Sequence, residues 1–185
     1  MKKFVTFLVA ALTILAGFIL ESTVLPHISL AGIKPNIMLI ITVSYGFLLG
    51  ERRGLFVGFT SGLLCDIFFG PMLGFEAFVY GLIGFLCGKF KKYLYVEDLT
   101  FPVLITAVSD FIYCFLNFVF LFLLRNRLFL GTFLLQIVLP EMIYTALFAT
   151  FIYPFLTILY NRYMKESHHT APGSSVIPQN IGRKW

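Results

Sequence analysis

Long apolar stretches alternate with short polar or basic segments along the chain, and this pattern predicts a series of membrane-spanning helices. Six spans are predicted, at about residues 4–20, 36–50, 54–69, 72–88, 101–124 and 140–160. The second, third and fourth are shorter than the ~20 apolar residues that an upright crossing needs. We interpret them as short spans, because clusters of basic residues alternate with the apolar segments along the chain.

Proline residues divide the last apolar stretch, residues 128–160, which is too long for one crossing. Pro140 predicts a helix start, since proline suits the first turn of a helix and disrupts its interior. Pro154 predicts a kink near the far end. Residues 128–139 are then an interfacial piece, a re-entrant piece or part of the last helix. Residues 21–34 are predicted to form a loop, and residues 165–185 a disordered cytoplasmic tail.

Composition excludes several classes of protein. Of the 185 residues, 59% are hydrophobic and 12% are charged, and the mean hydropathy is +0.91. Soluble domains average about 45–50% apolar and about 25% charged residues. Three cysteines and long apolar runs also argue against a disordered chain or a disulfide scaffold. We predict an all-α integral membrane protein, with residues 1–164 forming one compact bundle of about six helices.

The basic residues indicate an orientation in the membrane. They cluster at residues 2–3, 52–53, 89–92 and 162–165, whereas the intervening segments carry only Lys34, Arg125 and Arg127. By the positive-inside rule, both termini are cytoplasmic. The clusters are too short to follow a nucleic-acid backbone, so the predicted surroundings are a lipid bilayer and not a nucleic acid.

Glycines recur every four residues in the centre of the chain, at positions 46, 50, 54, 58 and 62. Residues four apart share one face of a helix, and small residues at this spacing allow close approach of helices in lipid. The strip either packs inside the protein or receives a partner's transmembrane helix. The candidate positions for packing or partner binding are Gly54, Gly58, Gly62, Asp66, Gly70, Pro71 and Gly74.

Four acidic residues lie in or beside apolar segments, where a charge is costly and needs a partner or a purpose. Asp66 and Glu76 flank a short turn, so we predict that they share an outer cavity, with Arg125 as a possible counter-charge. Glu141 follows Pro140 at a helix start, where the macrodipole favours an acid.

Asp110 is the deepest of these acids, with Asn117 two turns further along the same predicted span. We predict that Asp110 is neutral or hydrogen-bonded.

Residues typical of catalysis are scarce. His27 lies in a predicted loop and His168-His169 in the tail. The three cysteines lack CxxC spacing and a histidine companion, which is typical of small buried hydrophobic residues. We expect no enzyme activity, no cofactor and no metal.

The centre of the chain resembles a known family. The residues that carry the resemblance are Lys34-Pro35-Asn36, Gly50-Glu51-Arg52-Arg53-Gly54, Gly58, Gly62-Leu63-Leu64-Cys65-Asp66, Gly70-Pro71 and Leu73-Gly74. This block resembles the rod shape-determining family MreD. The likeness covers most of residues 4–162 in hydropathy and is specific across about residues 35–90.

The resemblance implies a multi-pass protein of the bacterial inner membrane, acting as a non-catalytic subunit of the machinery for lateral peptidoglycan synthesis. The implied partners are the bitopic protein MreC, the MreB filament, the SEDS polymerase and its class B penicillin-binding transpeptidase. The family is also similar in fold to the substrate-binding subunits of energy-coupling-factor transporters, which implies six helices around an outward-facing cavity.

Three functions remain open at this point. The leading one is a scaffold that binds a partner's transmembrane helix. The second is a substrate-binding subunit of a vitamin or small-molecule transporter, favoured by the acidic groups and by an aromatic content of 18%. The third is the handling of a lipid carrier, in which Arg125 and Arg127 meet a phosphate.

Overall fold

The computed structural model describes residues 2–29, 33–70, 72–91, 100–125 and 134–163, and the regular elements in these ranges are helices. Helix α1 (Lys2–Ile19) continues through a π-helical turn (Leu20–Val24) into the short α2 (Leu25–Ile28). Next come α3 (Ile37–Leu49), α4 (Glu51–Phe68), α5 (Phe75–Phe90) and α6 (Thr100–Arg125). A second π-helical turn (Leu134–Val138) leads into α7 (Leu139–Tyr163).

Helix α3 is the centre of the bundle. Its 13 residues make a rod of about 20 Å, and the residues from Ile37 to Leu48 are buried. A helix that is apolar on all sides is stable where other helices surround it. Helices α1, α4, α5, α6 and α7 all contact α3. Its short length therefore reflects a position inside the bundle.

Helices α4 and α5 form the most closely packed pair, and they run antiparallel. Helix α6 packs mainly on α7 and touches α5 sparsely. Near the start of α5, the rings of Phe75 and Phe120 stack with centroids 4.1 Å apart. Further along, α5 and α6 leave an apolar groove between them of about 360 Å³.

The two ends of the bundle differ in charge. One end, which we call the carboxylate end, carries Glu21, Asp66, Glu76 and Glu141 near the starts of α3, α5 and α7.

The opposite end, which we call the basic end, carries Arg52, Arg53, Lys89 and Lys91. There, Lys91 Nζ donates a hydrogen bond to the carbonyl of Leu48 at the end of α3, at 2.7 Å. Burial and the nearby charge of Arg53 lower the pKa of Lys91.

Three helical stretches are long and apolar enough to cross a membrane: Val5–Ile28, Thr100–Phe120 and Leu135–Arg162. Large apolar side chains also face outward, for example Phe7 at 73% exposure and Phe151 at 77%. So much exposed apolar surface is typical of a protein solvated by lipid. The chain is a helical membrane protein.

One predicted segment type differs from the structure, and one of the alternatives left open for residues 128–139 agrees with it in part. Residues 20–28 are helical where a loop from Glu21 was predicted, because the Glu21 carboxylate binds the start of α3 and is held within the bundle. Residues 134–138 are helical and continuous with α7, so this part of 128–139 belongs to the last helical segment. The predicted tail, 165–185, lies outside the described residues.

Candidate functional site

Asp66 holds the turn between α4 and α5 together. One carboxylate oxygen accepts hydrogen bonds from the backbone N–H groups of Gly74 and Ala77, both at 2.9 Å. The other accepts from the N–H of Glu76 at 3.0 Å. These donors belong to the first turn of α5, which has no partners for them within the helix. Asp66, from the preceding helix, therefore satisfies the free N–H groups at the start of α5, where the macrodipole favours an acidic side chain.

The start of α3 is capped in a similar way. Asn36 accepts a hydrogen bond from the N–H of Leu39 at 2.9 Å, while Glu21 accepts from the N–H of Met38 at 2.9 Å. Lys34 lies 3.8 Å from the other oxygen of Glu21. Its ammonium also lies 5.2 Å from the ring centroid of Phe69. A carboxylate from one helix thus stabilises the N-terminus of another at two places.

Two tyrosines connect these caps. Tyr80 of α5 donates a hydrogen bond to the side-chain oxygen of Asn36 at 2.9 Å, and its ring lies 5.2 Å from that of Tyr113. Tyr113 of α6 donates to Glu76 at 3.3 Å. Asn117 lies beside the Tyr113 hydroxyl. This network joins α3, α5 and α6 at the carboxylate end.

A cavity of about 170 Å³ opens among these groups. Its walls combine three carboxylates, one ammonium and two phenols with apolar side chains: Glu21, Lys34, Pro35, Asn36, Cys65, Phe69, Glu76, Tyr80, Tyr113 and Glu141. Three acids facing one base favour a cation in this space.

The predicted cavity of Asp66, Glu76 and Arg125 is only partly reproduced. Glu76 lines the cavity, but Asp66 does not, because its two oxygens are held by the start of α5. Arg125 is the last residue of α6, and its side chain lies outside the described part of the structure. Arg127 and Pro71 also lie outside the described residues.

Asp110, Cys114 and Glu141 form a second group, which shares Glu141 with the cavity. Their potential ligand atoms all lie within 4.8 Å of one another. Asp110 is 0% exposed, and neither of its oxygens has a hydrogen-bond partner among the described residues. The Thr145 hydroxyl lies beside it, without meeting hydrogen-bond geometry. That Asp110 is neutral or hydrogen-bonded stays a prediction.

The glycine strip of α4 faces α5. A Cβ at Gly54 would collide with the Gly84 carbonyl, one at Gly58 with the Tyr80 carbonyl, and one at Gly62 with the Glu76 carbonyl. The backbones of the two helices approach closely only because these side chains are absent. Of the two roles left open for the strip, the geometry supports packing inside the chain, and a partner's helix needs another surface.

The two glycines that flank the α4–α5 turn have different roles. Gly74, with φ of +100°, is in a backbone conformation that favours glycine, and it is the N-cap residue of α5. Gly70 donates from its N–H to the carbonyls of Cys65 and Asp66 at the end of α4. Both glycines therefore serve the turn.

Several residues of the site were not singled out from the sequence. Asn36 had a readable signal, because asparagine directly before an apolar helix is a favoured N-cap. Glu21 was assigned to a loop. The contributions of Tyr80, Tyr113 and Thr145 depend on contacts across more than 30 positions in the chain, for which the local pattern carries no signal.

The fold and the site define a helical membrane protein whose polar groups mainly join and cap helices. Comparison with protein-family models gives a match to the rod shape-determining protein MreD over residues 1–163. The chain belongs to the MreD family, whose role is the determination of rod shape. No curated protein and no solved structure matches the chain.

Proposed function

We propose that this protein is a non-catalytic scaffold subunit of the bacterial cell-elongation complex, in the inner membrane. It binds the transmembrane helix of MreC and positions the SEDS polymerase, its class B transpeptidase and the MreB filament. Membership of the MreD family carries this proposal. The positive-inside rule places the basic end in the cytoplasm and the carboxylate end outside.

The chemistry of the described residues supports a role without catalysis. Within the described ranges there is one histidine, His27, and its ring contacts the backbone carbonyl of Thr23. Asp66 and Glu21 are held by helix N-termini.

The groove between α5 and α6 is the surface that we propose for the MreC helix. It is apolar, and it is lined by Leu82, Ile83, Leu86, Cys87 and Phe90 of α5 and by Phe101, Leu104, Ile105, Val108, Ser109, Ile112 and Leu116 of α6. The only hydroxyl among these residues belongs to Ser109, and it contacts Cys87 at 3.7 Å. An apolar helix can therefore pack in the groove without leaving a polar group unpaired.

Filling the groove tests this proposal. Leu86→Trp and Leu104→Trp place large rings where the groove is open, since these side chains are 41% and 58% exposed. Phe151→Trp and Ile158→Trp are matched controls on the exposed face of α7. Each tagged variant is purified from its native membrane in mild detergent, and MreC is quantified by mass spectrometry. We expect MreC to be lost from the groove variants and kept by the controls.

The possible outcomes test the choice of the groove and the scaffold function separately. If the unsubstituted protein recovers MreC and the groove variants recover as much, the groove is the wrong surface. If the unsubstituted protein recovers no MreC or wall synthase, the scaffold proposal is wrong. Recovery of paired ATPases with a membrane coupling subunit would instead favour the transporter function. Pockets for small organic ligands span about 300–1,000 Å³. The cavity at the carboxylate end is smaller, at about 170 Å³, whereas the α5–α6 groove, at about 360 Å³, falls within that range.

A further inference from the structure

We propose that Asp110, Cys114 and Glu141 bind a divalent transition-metal ion of the zinc type, which joins α6 to the first turn of α7. Asp110 and Cys114 are four residues apart and share one face of α6. Glu141, in the first turn of α7, completes the group. One carboxylate oxygen from each acid and the thiol sulfur lie within 4.8 Å of one another.

An independent observation points to a missing cation. Asp110 is 0% exposed, and both of its oxygens lack a hydrogen-bond partner among the described residues. An ionised carboxylate in this position is strongly destabilised unless it is paired or coordinates a metal. Among the described residues, the charged side chains found to act on Asp110 are two acids, Glu141 and Glu21. A cation between Asp110 and Glu141 would satisfy both carboxylates.

The donor atoms select the class of ion. Calcium and magnesium prefer sites made of oxygen ligands alone, whereas zinc accepts a mixture of thiolate and carboxylate. Ligand atoms around tetrahedral zinc lie about 3.5 Å apart, as follows from metal–ligand distances of about 2.0–2.3 Å. The observed separations of up to 4.8 Å close to this value by movements of about 1 Å, which side-chain rotation can supply.

The cavity at the carboxylate end provides the route of entry. Glu141 lines it, together with Glu21, Glu76 and Lys34, so an ion can pass from the cavity to the site by contact with Glu141. Three protein ligands leave a fourth position for water on this side. When the ion binds, the Cys114 thiol releases its proton to water and the sulfur becomes a thiolate ligand. Three anionic ligands around a doubly charged ion leave one net negative charge.

Metal content of the full-length protein tests the site. The protein is purified with a tag free of histidine, stripped with a chelator and equilibrated with Zn²⁺, and bound zinc is measured by plasma mass spectrometry. We expect one zinc per chain. We expect Asp110→Asn and Cys114→Ser each to weaken zinc affinity by more than about tenfold, since even loss of a residue that only orients a ligand costs about 10–100-fold.

Matched variants separate this site from other metal ligands. Cys65→Ser with Cys87→Ser removes the two other cysteines, which are also buried, and should keep zinc. His168→Ala with His169→Ala removes the histidine pair of the C-terminal segment and should also keep it. With Co²⁺ as the probe, the thiolate-to-cobalt absorption band should persist in both control proteins and disappear in Cys114→Ser.

Folding is checked in chelator, where Cys114→Ser should melt at the same temperature as the unsubstituted protein. The proposal is overturned if the folded protein binds no zinc, or if zinc and the cobalt band survive in Cys114→Ser. Loss of zinc in the histidine variant with retention in Cys114→Ser would overturn it as well. None of these outcomes depends on MreC, so the test is independent of the scaffold proposal.

Discussion

Replacing Asp66 with alanine should release the start of α5 while the rest of the bundle stays folded. The substitution removes an acceptor for three backbone N–H groups, those of Gly74, Glu76 and Ala77. Asp66 is 3% exposed, so water cannot easily take its place. Gly70, the turn residues 72–74 and the first turn of α5 are the parts that should respond.

The magnitude follows from the contacts. A hydrogen bond to a charged group contributes about 1.5–3 kcal/mol, and an ordinary N-cap contributes about 0.5–2 kcal/mol. The three bonds share one carboxylate and are not additive, so we expect a loss of about 3–4 kcal/mol in the free energy of local opening. Since about 1.4 kcal/mol corresponds to a factor of ten, amide exchange should accelerate by about 150–700-fold.

Hydrogen exchange followed by mass spectrometry on the protein in detergent measures this directly, using peptides that cover residues 72–80. Asp66→Asn should give a smaller acceleration, because its remaining oxygen can still accept the bonds from Gly74 and Ala77. Glu76→Gln is the control, since Glu76 accepts only the 3.3 Å bond from Tyr113 among the hydrogen bonds found. If Asp66→Ala leaves exchange at 74–77 unchanged, the capping role is refuted.

Two further predictions use matched pairs and the midpoint of thermal unfolding in detergent. Gly58→Ala should lower the unfolding midpoint by several degrees, because the new Cβ meets the Tyr80 carbonyl. Gly81→Ala should leave the midpoint equal or higher, because the nearest neighbour of its Cβ lies at 3.6 Å. Equal effects of the two substitutions would contradict the packing assigned to the strip. Tyr80→Phe should lower the free energy of unfolding by about 1 kcal/mol, because it removes the hydrogen bond to Asn36. Tyr144→Phe should lower it less, because the hydrogen bond of Tyr144 is exposed and 3.4 Å long. A larger loss of stability in Tyr144→Phe than in Tyr80→Phe would contradict the role assigned to the network.

Much of the fold could be predicted from the glycine spacing and the apolar runs. Three glycines at intervals of four on α4 predicted close helix contact, and α5 is the neighbour that fills it. The same spacing could not say which helix lies opposite, because a strip has the same sequence whether its partner is internal or external. The central position of α3 was also not predicted. Its short apolar run suits a buried helix as well as a short span.

The site was harder to predict because its parts are distant in sequence. Asp110 and Cys114 had visible helical spacing, but Glu141 reaches them only through the packing of α6 on α7. Glu21 lies 17 positions before Met38 of α3, whose backbone N–H donates a hydrogen bond to it. Histidine and paired-cysteine motifs indicate metal sites in a sequence, whereas a site made of two carboxylates and one thiol has no such local motif.

The capped acids explain how this bundle tolerates so many carboxylates. Each helix start carries a partial positive charge of about half a unit and unpaired N–H donors. Asp66 and Glu21 occupy two of these starts, so their charges are stabilised by the backbone of α5 and α3. An acid inside a membrane is often interpreted as functional. For these two residues, the capping bonds are a sufficient reason for their presence.

Asp110 differs because no helix start or side chain partners its oxygens in the described structure. The two kinds of acid should therefore respond in opposite ways. Asp66→Ala should lower stability and leave zinc binding in place. Asp110→Asn should weaken zinc affinity by more than about tenfold and leave stability in chelator equal or higher, because it removes a buried carboxyl group that has no hydrogen-bond partner among the described residues. If both substitutions lower stability in chelator to the same extent, Asp110 is a structural group like Asp66, and the division between capping and ligand-binding acids is wrong.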